Sequence, residues 1–143
     1  MCIRDSKNTH HIGLGYIKGY GLKTGAVATS ISHDSHNIIV VGTNEEDMAF
    51  AANHIVQNHG GITVVEDGQV RSDVLLAIAG IMSDDSLVNV NRDLEAAKAA
   101  AYALGVSEGI DPFMTLSFMA LPVIPTLRIT TRGVFDVGSQ RYV

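Results

Sequence analysis

At 143 residues the chain fits one domain with a single core, and 46% hydrophobic against 17% charged residues exclude a disordered tail. Ten basic residues are scattered among 15 acidic ones for a net charge of -5, so the sequence carries no electrostatic footprint for nucleic acid or an anionic membrane. A single cysteine, Cys2, excludes an internal disulfide framework and a thiolate metal site and fits a reducing cytoplasm, and no apolar run approaches the roughly 20 residues that cross a bilayer.

In chain order, MCIRDS has no signal-peptide pattern, because Arg4 and Asp5 sit where an apolar segment would be needed. It reads as unrelated to the rest of the chain. Ile12 to Leu22 has a glycine at nearly every second position, which predicts a strand whose glycines admit close backbone approach. Lys23-Thr24-Gly25 predicts a turn, after which Ala26–Ile31 and Ile38–Val41 read as two short buried strands. Thr43 and Glu46 have capping-box spacing and open a helix with the apolar stripe Met48, Ala51, Ala52 and Ile55, closed by His59-Gly60. Ile62–Val65 and Val70–Ile78 form a hairpin about the turn Glu66-Asp67-Gly68.

The second helix, about Asp85 to Leu104, has Leu87, Val90, Leu94, Ala97, Ala101 and Leu104 at alternating spacings of three and four, with Gly105 as terminator. Ser83-Asp84-Asp85-Ser86 reads as its N-terminal cap, with acids that could also face a polar ligand. Asp111-Pro112 starts a third, short helix, apolar nearly all round through Phe113, Met114, Leu116, Phe118 and Met119, and Pro122 and Pro125 end it. Such a helix should be buried or lie under a partner. Leu127–Val137 predicts a hairpin turning near Arg132-Gly133. The fold class is therefore α+β: a mixed β-sheet with about three helices packed against it, in a single domain.

One polar knot, His33-Asp34-Ser35-His36-Asn37, interrupts the apolar segment between two predicted strands. Polar groups there cost free energy unless each finds a partner. Two histidines three apart with an acid between them suit a metal, an acid-base pair, or hydrogen bonds to a ligand. The alternative is structural: His33 and Asp34 cap strand ends and satisfy backbone groups of a loop. Spacing leaves these open. His54 and His59 read as structural, the latter at the negative end of a helix dipole. Gly13, Gly15, Gly19 and Gly21 read as strand glycines, since neither a Lys-Ser/Thr pair nor a helix follows to make a phosphate loop. The methionines and phenylalanines of the third helix read as core.

Three segments, GYGLKTGAVATSISHDSHNIIVVGTNEEDMAFAANHI, LLAIAGIMSD and DPFMTLSFMALPVIPTLRITTRGVFDV, resemble in order and spacing the C-terminal domain of bacterial adenine deaminase, of the amidohydrolase superfamily. On this resemblance residues 10–143 form that domain, and residues 1–9 read as a non-native or truncated lead. The resemblance implies hydrolytic deamination of adenine to hypoxanthine and ammonia in purine salvage. The reaction would belong to a cytoplasmic enzyme with a divalent metal, manganese or iron, in a barrel absent from this chain. No metal is expected here, since the chain has no His-x-His motif and a barrel alone takes about 250 residues. The expected partners are the barrel of the same polypeptide and adenine as substrate, with neither nucleic acid nor membrane, and a homo-oligomer is left open. The chain alone is expected to be inactive. His33, Asp34, Ser35, His36 and Asn37 become the candidates for an active-site loop. Two rival readings stand beside this one: a stand-alone module binding a small ligand or metal, and a purely structural domain that only buries barrel surface.

Overall fold

The structure, a computed structural model, describes residues 1–5 and 10–143. Its elements are β1 (Cys2–Arg4), β2 (Ile12–Leu14), β3 (Ala26–Thr29), β4 (Ile38–Gly42), α1 (Glu45–Gln57), β5 (Gly61–Glu66), β6 (Gln69–Leu75), α2 (Leu87–Ala103), α3 (Pro112–Met119), β7 (Leu127–Thr130), β8 (Gly133–Asp136) and β9 (Arg141–Tyr142). The class is α+β with three helices, as the sequence predicts. The strands, however, form two sheets, ordered β2-β1-β4-β3-β5-β6 and β7-β8-β9, in which the described pairings are antiparallel rather than mixed. The physical reason lies in the connections: a two-residue turn joins β5 to β6 and single loops join β1 to β2 and β3 to β4 as antiparallel neighbours, while β4 and β5, linked by the α1 crossover, flank β3 instead of pairing with each other.

Alternation along the strands gives the large sheet two apolar faces. Ala26, Ala28, Ile38, Val40 and Val65 pack against Ala51, Ala52 and Ile55 of α1. Val27, Ile39, Val41 and Val64 face the other way, onto Ala97 and Ala101 of α2, Phe113 and Leu116 of α3, and Ile129 of β7. Fully burying each such aliphatic side chain stabilises by about 1.5–3 kcal/mol, which makes this three-layer arrangement the main source of stability.

β1 lies inside the sheet, with Ile3 paired to Gly13 on one side and Ile39 on the other. Ile3 is 1% exposed and belongs to the larger core cluster. Of the 1–9 lead, residues 6–9 lie outside the described residues. In the glycine-rich segment only Gly13 sits in a strand, and a Cβ there would fall 1.8 Å from the Thr130 carbonyl oxygen, so close approach does explain that glycine. Beyond Leu14 the strand reading fails, because Gly19 and Gly21 adopt φ of +87° and +92°, which no extended strand allows. Tyr20, between them, is buried and donates its hydroxyl to Pro112 O at 3.1 Å. Burial pushes its pKa up, with the charges of Asp111 and Tyr102 adding to the effect.

Each helix starts with a side-chain cap. For α1 the cap is Asn44, one residue after the predicted Thr43: its Oδ1 accepts from Asp47 N at 2.7 Å while its Nδ2 donates to Asp47 Oδ2 at 2.9 Å. Asp47, only 3% exposed, also accepts from Gly68 N at 2.8 Å and Asp67 N at 3.3 Å. One carboxylate thus serves both the start of α1 and the β5–β6 turn, where Asp67 and Gly68 have φ of 53° and 66° as a type I′ turn requires. The Asn44 amide first, then Gly68 N–H, hold the Asp47 pKa below the usual carboxylate range. Ser86 caps α2, accepting from Asn89 N. Its apolar stripe begins only at Val90, since Leu87 and Val88 are 84% and 78% exposed. Asp111 caps α3 as predicted, accepting from Phe113 N at 3.0 Å and Met114 N at 2.9 Å. Phe113 and Leu116 of α3 are buried, while Met114 and Phe118 are exposed. The C-terminal hairpin gains a third strand, β9, too short to show a pattern in sequence.

Candidate functional site

The knot is the connection between β3 and β4, whose register runs from Ala26 opposite Gly42 to Thr29 opposite Ile39 and leaves Ser30–Asn37 at one sheet end. Local bonds shape it. Ile31 N donates to Thr29 Oγ1 at 3.0 Å, and His36 N donates to Ser32 O at 2.6 Å. The loop is anchored to α3 twice: His33 N donates to Ser117 O at 3.0 Å, and the His33 ring stacks on Phe118 with centroids 4.9 Å apart. Asn37 is 7% exposed, His33 half-buried, and Asp34, Ser35 and His36 exposed. Ser32 is fully buried with no hydrogen-bond partner for its hydroxyl among the described residues, an unusual state for such a group.

The loop borders two separate cavities. His33, Asp34, Ser35 and Asn37 line a cleft of about 370 Å³ together with Leu121–Val123 at the end of α3 and the Thr130-Thr131 corner. His36 instead lines a cavity of about 480 Å³ on the other side. The two imidazole centroids are 6.3 Å apart with planes tilted by 59°. The first cleft therefore offers a carboxylate, an amide, hydroxyls and one imidazole, a set suited to hydrogen-bonding a polar, planar ligand edge. Among the described residues no group of three or more His, Cys, Asp or Glu side chains converges to hold a metal ion, so the residues present do not fit the metal that the resemblance implies.

The second cavity was not read from the sequence. It is walled by Arg4, Ser30, His59, Ala79 and Gly80 as well as His36. Ser30 Oγ builds its floor, donating to Gly80 O at 2.5 Å and accepting from Gly61 N at 2.8 Å. His59 looks structural in sequence, as the closing residue of α1, and in part it is: His59 N donates to Val56 O and Gly60 N to Ile55 O, the two bonds of a Schellman closure. His59 nonetheless belongs to the cavity wall. The only local signal for this was a histidine at the position where helices favour glycine. His54 is structural as expected, bonded through Nε2 to Asp73 Oδ2 at 2.6 Å and to Asn58 Nδ2 at 2.9 Å.

Fold and clefts together define a small antiparallel α+β domain that presents one polar loop between two cavities. The sequence model of the adenine deaminase C-terminal domain family matches residues 1–141, and the chain belongs to that family. It is 48% identical over 137 residues to adenine deaminase of Bacillus subtilis (strain 168), covering 96% of this chain and 24% of that protein. It is 49% identical over 139 residues to adenine deaminase of Listeria monocytogenes serotype 4b (strain F2365), covering 94% and 24%. Adenine deaminase 2 of Carboxydothermus hydrogenoformans is 48% identical over 131 residues, covering 92% and 23%. The chain thus spans about a quarter of the length of the relatives it matches.

Proposed function

We propose that the chain, β1 included, acts as the C-terminal accessory domain of an enzyme that hydrolyses adenine to hypoxanthine and ammonia in cytoplasmic purine salvage. The domain packs on a catalytic barrel in the remainder of the polypeptide and offers His33, Asp34, Ser35 and Asn37 at the mouth of the active site. A divalent metal would be held by that barrel. The observation that carries the reading is the cleft itself: four of the five knot residues share one opening. The exposed Phe118 and Val123, on or just beyond α3, supply apolar surface near it. Donors and acceptors on a loop anchored to a helix are placed to bind the purine edge or orient the attacking water, while the apolar surface meets the barrel.

The test is a chimera in which this chain replaces the matching C-terminal quarter of the Bacillus subtilis adenine deaminase. The expected outcome is a folded protein that converts adenine to hypoxanthine. A chimera that folds with one cooperative transition yet lacks this conversion would refute the proposal.

A further inference from the structure

We infer that the cavity between the β3–β4 loop, the C-terminal end of α1 and Ala79-Gly80 binds a small molecule that joins a carboxylate to an apolar body. Its volume of about 480 Å³ lies in the range of small-molecule sites. The walls divide by chemistry. Ile38, Ile55 and Val56 supply apolar surface, and Arg4, His36 and His59 supply N–H donors. Among the described residues no carboxylate pairs with Arg4, whose guanidinium fork has the geometry to take a carboxylate on two parallel bonds. Asp5 and the carbonyl end of α1 border the same space, and their negative potential disfavours a doubly charged anion relative to a singly charged one.

The backbone points to the same place independently. His36, His59 and Ala79 have φ of 50°, 60° and 56°, and all three line this cavity. Non-glycine residues in the left-handed region cluster at ligand sites, where the surrounding fold holds them against the cost. His59 is the clearest case, because the Schellman closure of α1 would be met by glycine without that cost. An imidazole retained there gives up local stability and places a donor on the cavity wall. None of these features depends on the deaminase reading.

Titration of the 143-residue chain with 3-methylbutanoate, followed by calorimetry and by chemical shifts of the Arg4 and His59 side chains, tests it. The uncharged 3-methylbutanamide serves as control. The carboxylate should bind saturably and the amide at least about tenfold more weakly, since only the former makes the charge-assisted pair. Arg4→Gln should weaken carboxylate binding by about tenfold or more. His59→Gly should weaken it about threefold while the melting temperature stays level or rises, which separates lost contact from lost fold. Equal binding of acid and amide, carboxylate binding undiminished by Arg4→Gln, or no saturable binding at all would overturn the inference.

Discussion

Replacing Asp34 and Asn37 by alanine, one at a time in the chimera and in the 143-residue chain, separates a site role from a structural one. Asp34 is exposed at the cleft. Truncating an exposed side chain changes stability by no more than about 0.5 kcal/mol. For a chain of this size, 1 kcal/mol corresponds to about 3 °C, so its melting temperature should move by less than about 2 °C. If its carboxylate makes a hydrogen bond that exists mainly in the transition state, losing it costs about 1.4 kcal/mol or more, and kcat/KM falls about tenfold or more. Asn37 is 7% exposed and not without a partner, so its truncation removes a buried polar group from its interactions. That costs about 1–3 kcal/mol, or about 3–10 °C. Hypoxanthine formation by the chimera at subsaturating adenine, and a thermal melt of the 143-residue chain carrying the same substitution, read the two quantities. Unchanged kcat/KM for Asp34→Ala together with a melting point lowered by more than about 3 °C would show the knot to be a structural loop and remove all five residues from the site.

The 143-residue chain alone should form no hypoxanthine from adenine, and activity of the purified chain above a metal-only blank would refute this. The same sample should bind hydrophobic dye or self-associate through exposed side chains such as Met114, Phe118 and Val123, and a clean sedimenting monomer without dye binding would argue against it. The folded-state pKa of Asp47 is depressed, so its contribution to stability is complete above the unfolded carboxylate value of about 3.9 and fades as pH falls through the lower folded value. Asp47→Asn should therefore lower the melting point at neutral pH and flatten its decline on the acid side; an unaltered acid limb would contradict this role. Gly13→Ala should destabilise by about 1–3 kcal/mol or more, because its Cβ would overlap the Thr130 carbonyl, and a denaturant midpoint within error of the parent would disprove that packing.

What could be read in the sequence was whatever is decided within a few residues. Asp111-Pro112 marks a helix start through one side-chain oxygen and one fixed φ, and Asp67-Gly68 marks a turn that needs two left-handed residues; both stand where the sequence placed them. The strands flanking the knot showed as apolar runs for the same reason. β1 escaped notice because three residues are too few for a period and Arg4 and Asp5 break the apolar pattern, while its strand character comes from pairing with β2 and β4. Leu87 failed in the other direction: its spacing fits the helix stripe, but the first turn of α2 leaves it exposed. The knot was visible as a polar interruption, yet its division between two cavities depends on α1, α3 and Ala79-Gly80 arriving from distant parts of the chain. No local pattern encodes that convergence.

Placing His36 on one side of the loop and Ser35 and Asn37 on the other has a thermodynamic consequence. Adjacent residues share a backbone, and this one is pinned at His33 to Ser117 and closed on itself from His36 to Ser32. The backbone beside His36 is therefore the same backbone that positions Ser35 and Asn37 for the opposite cleft. If a molecule in one cavity alters affinity in the other, linkage requires the effect to be reciprocal: whatever factor the first imposes on the second, the second returns to the first. The loop is a wall that both openings have in common.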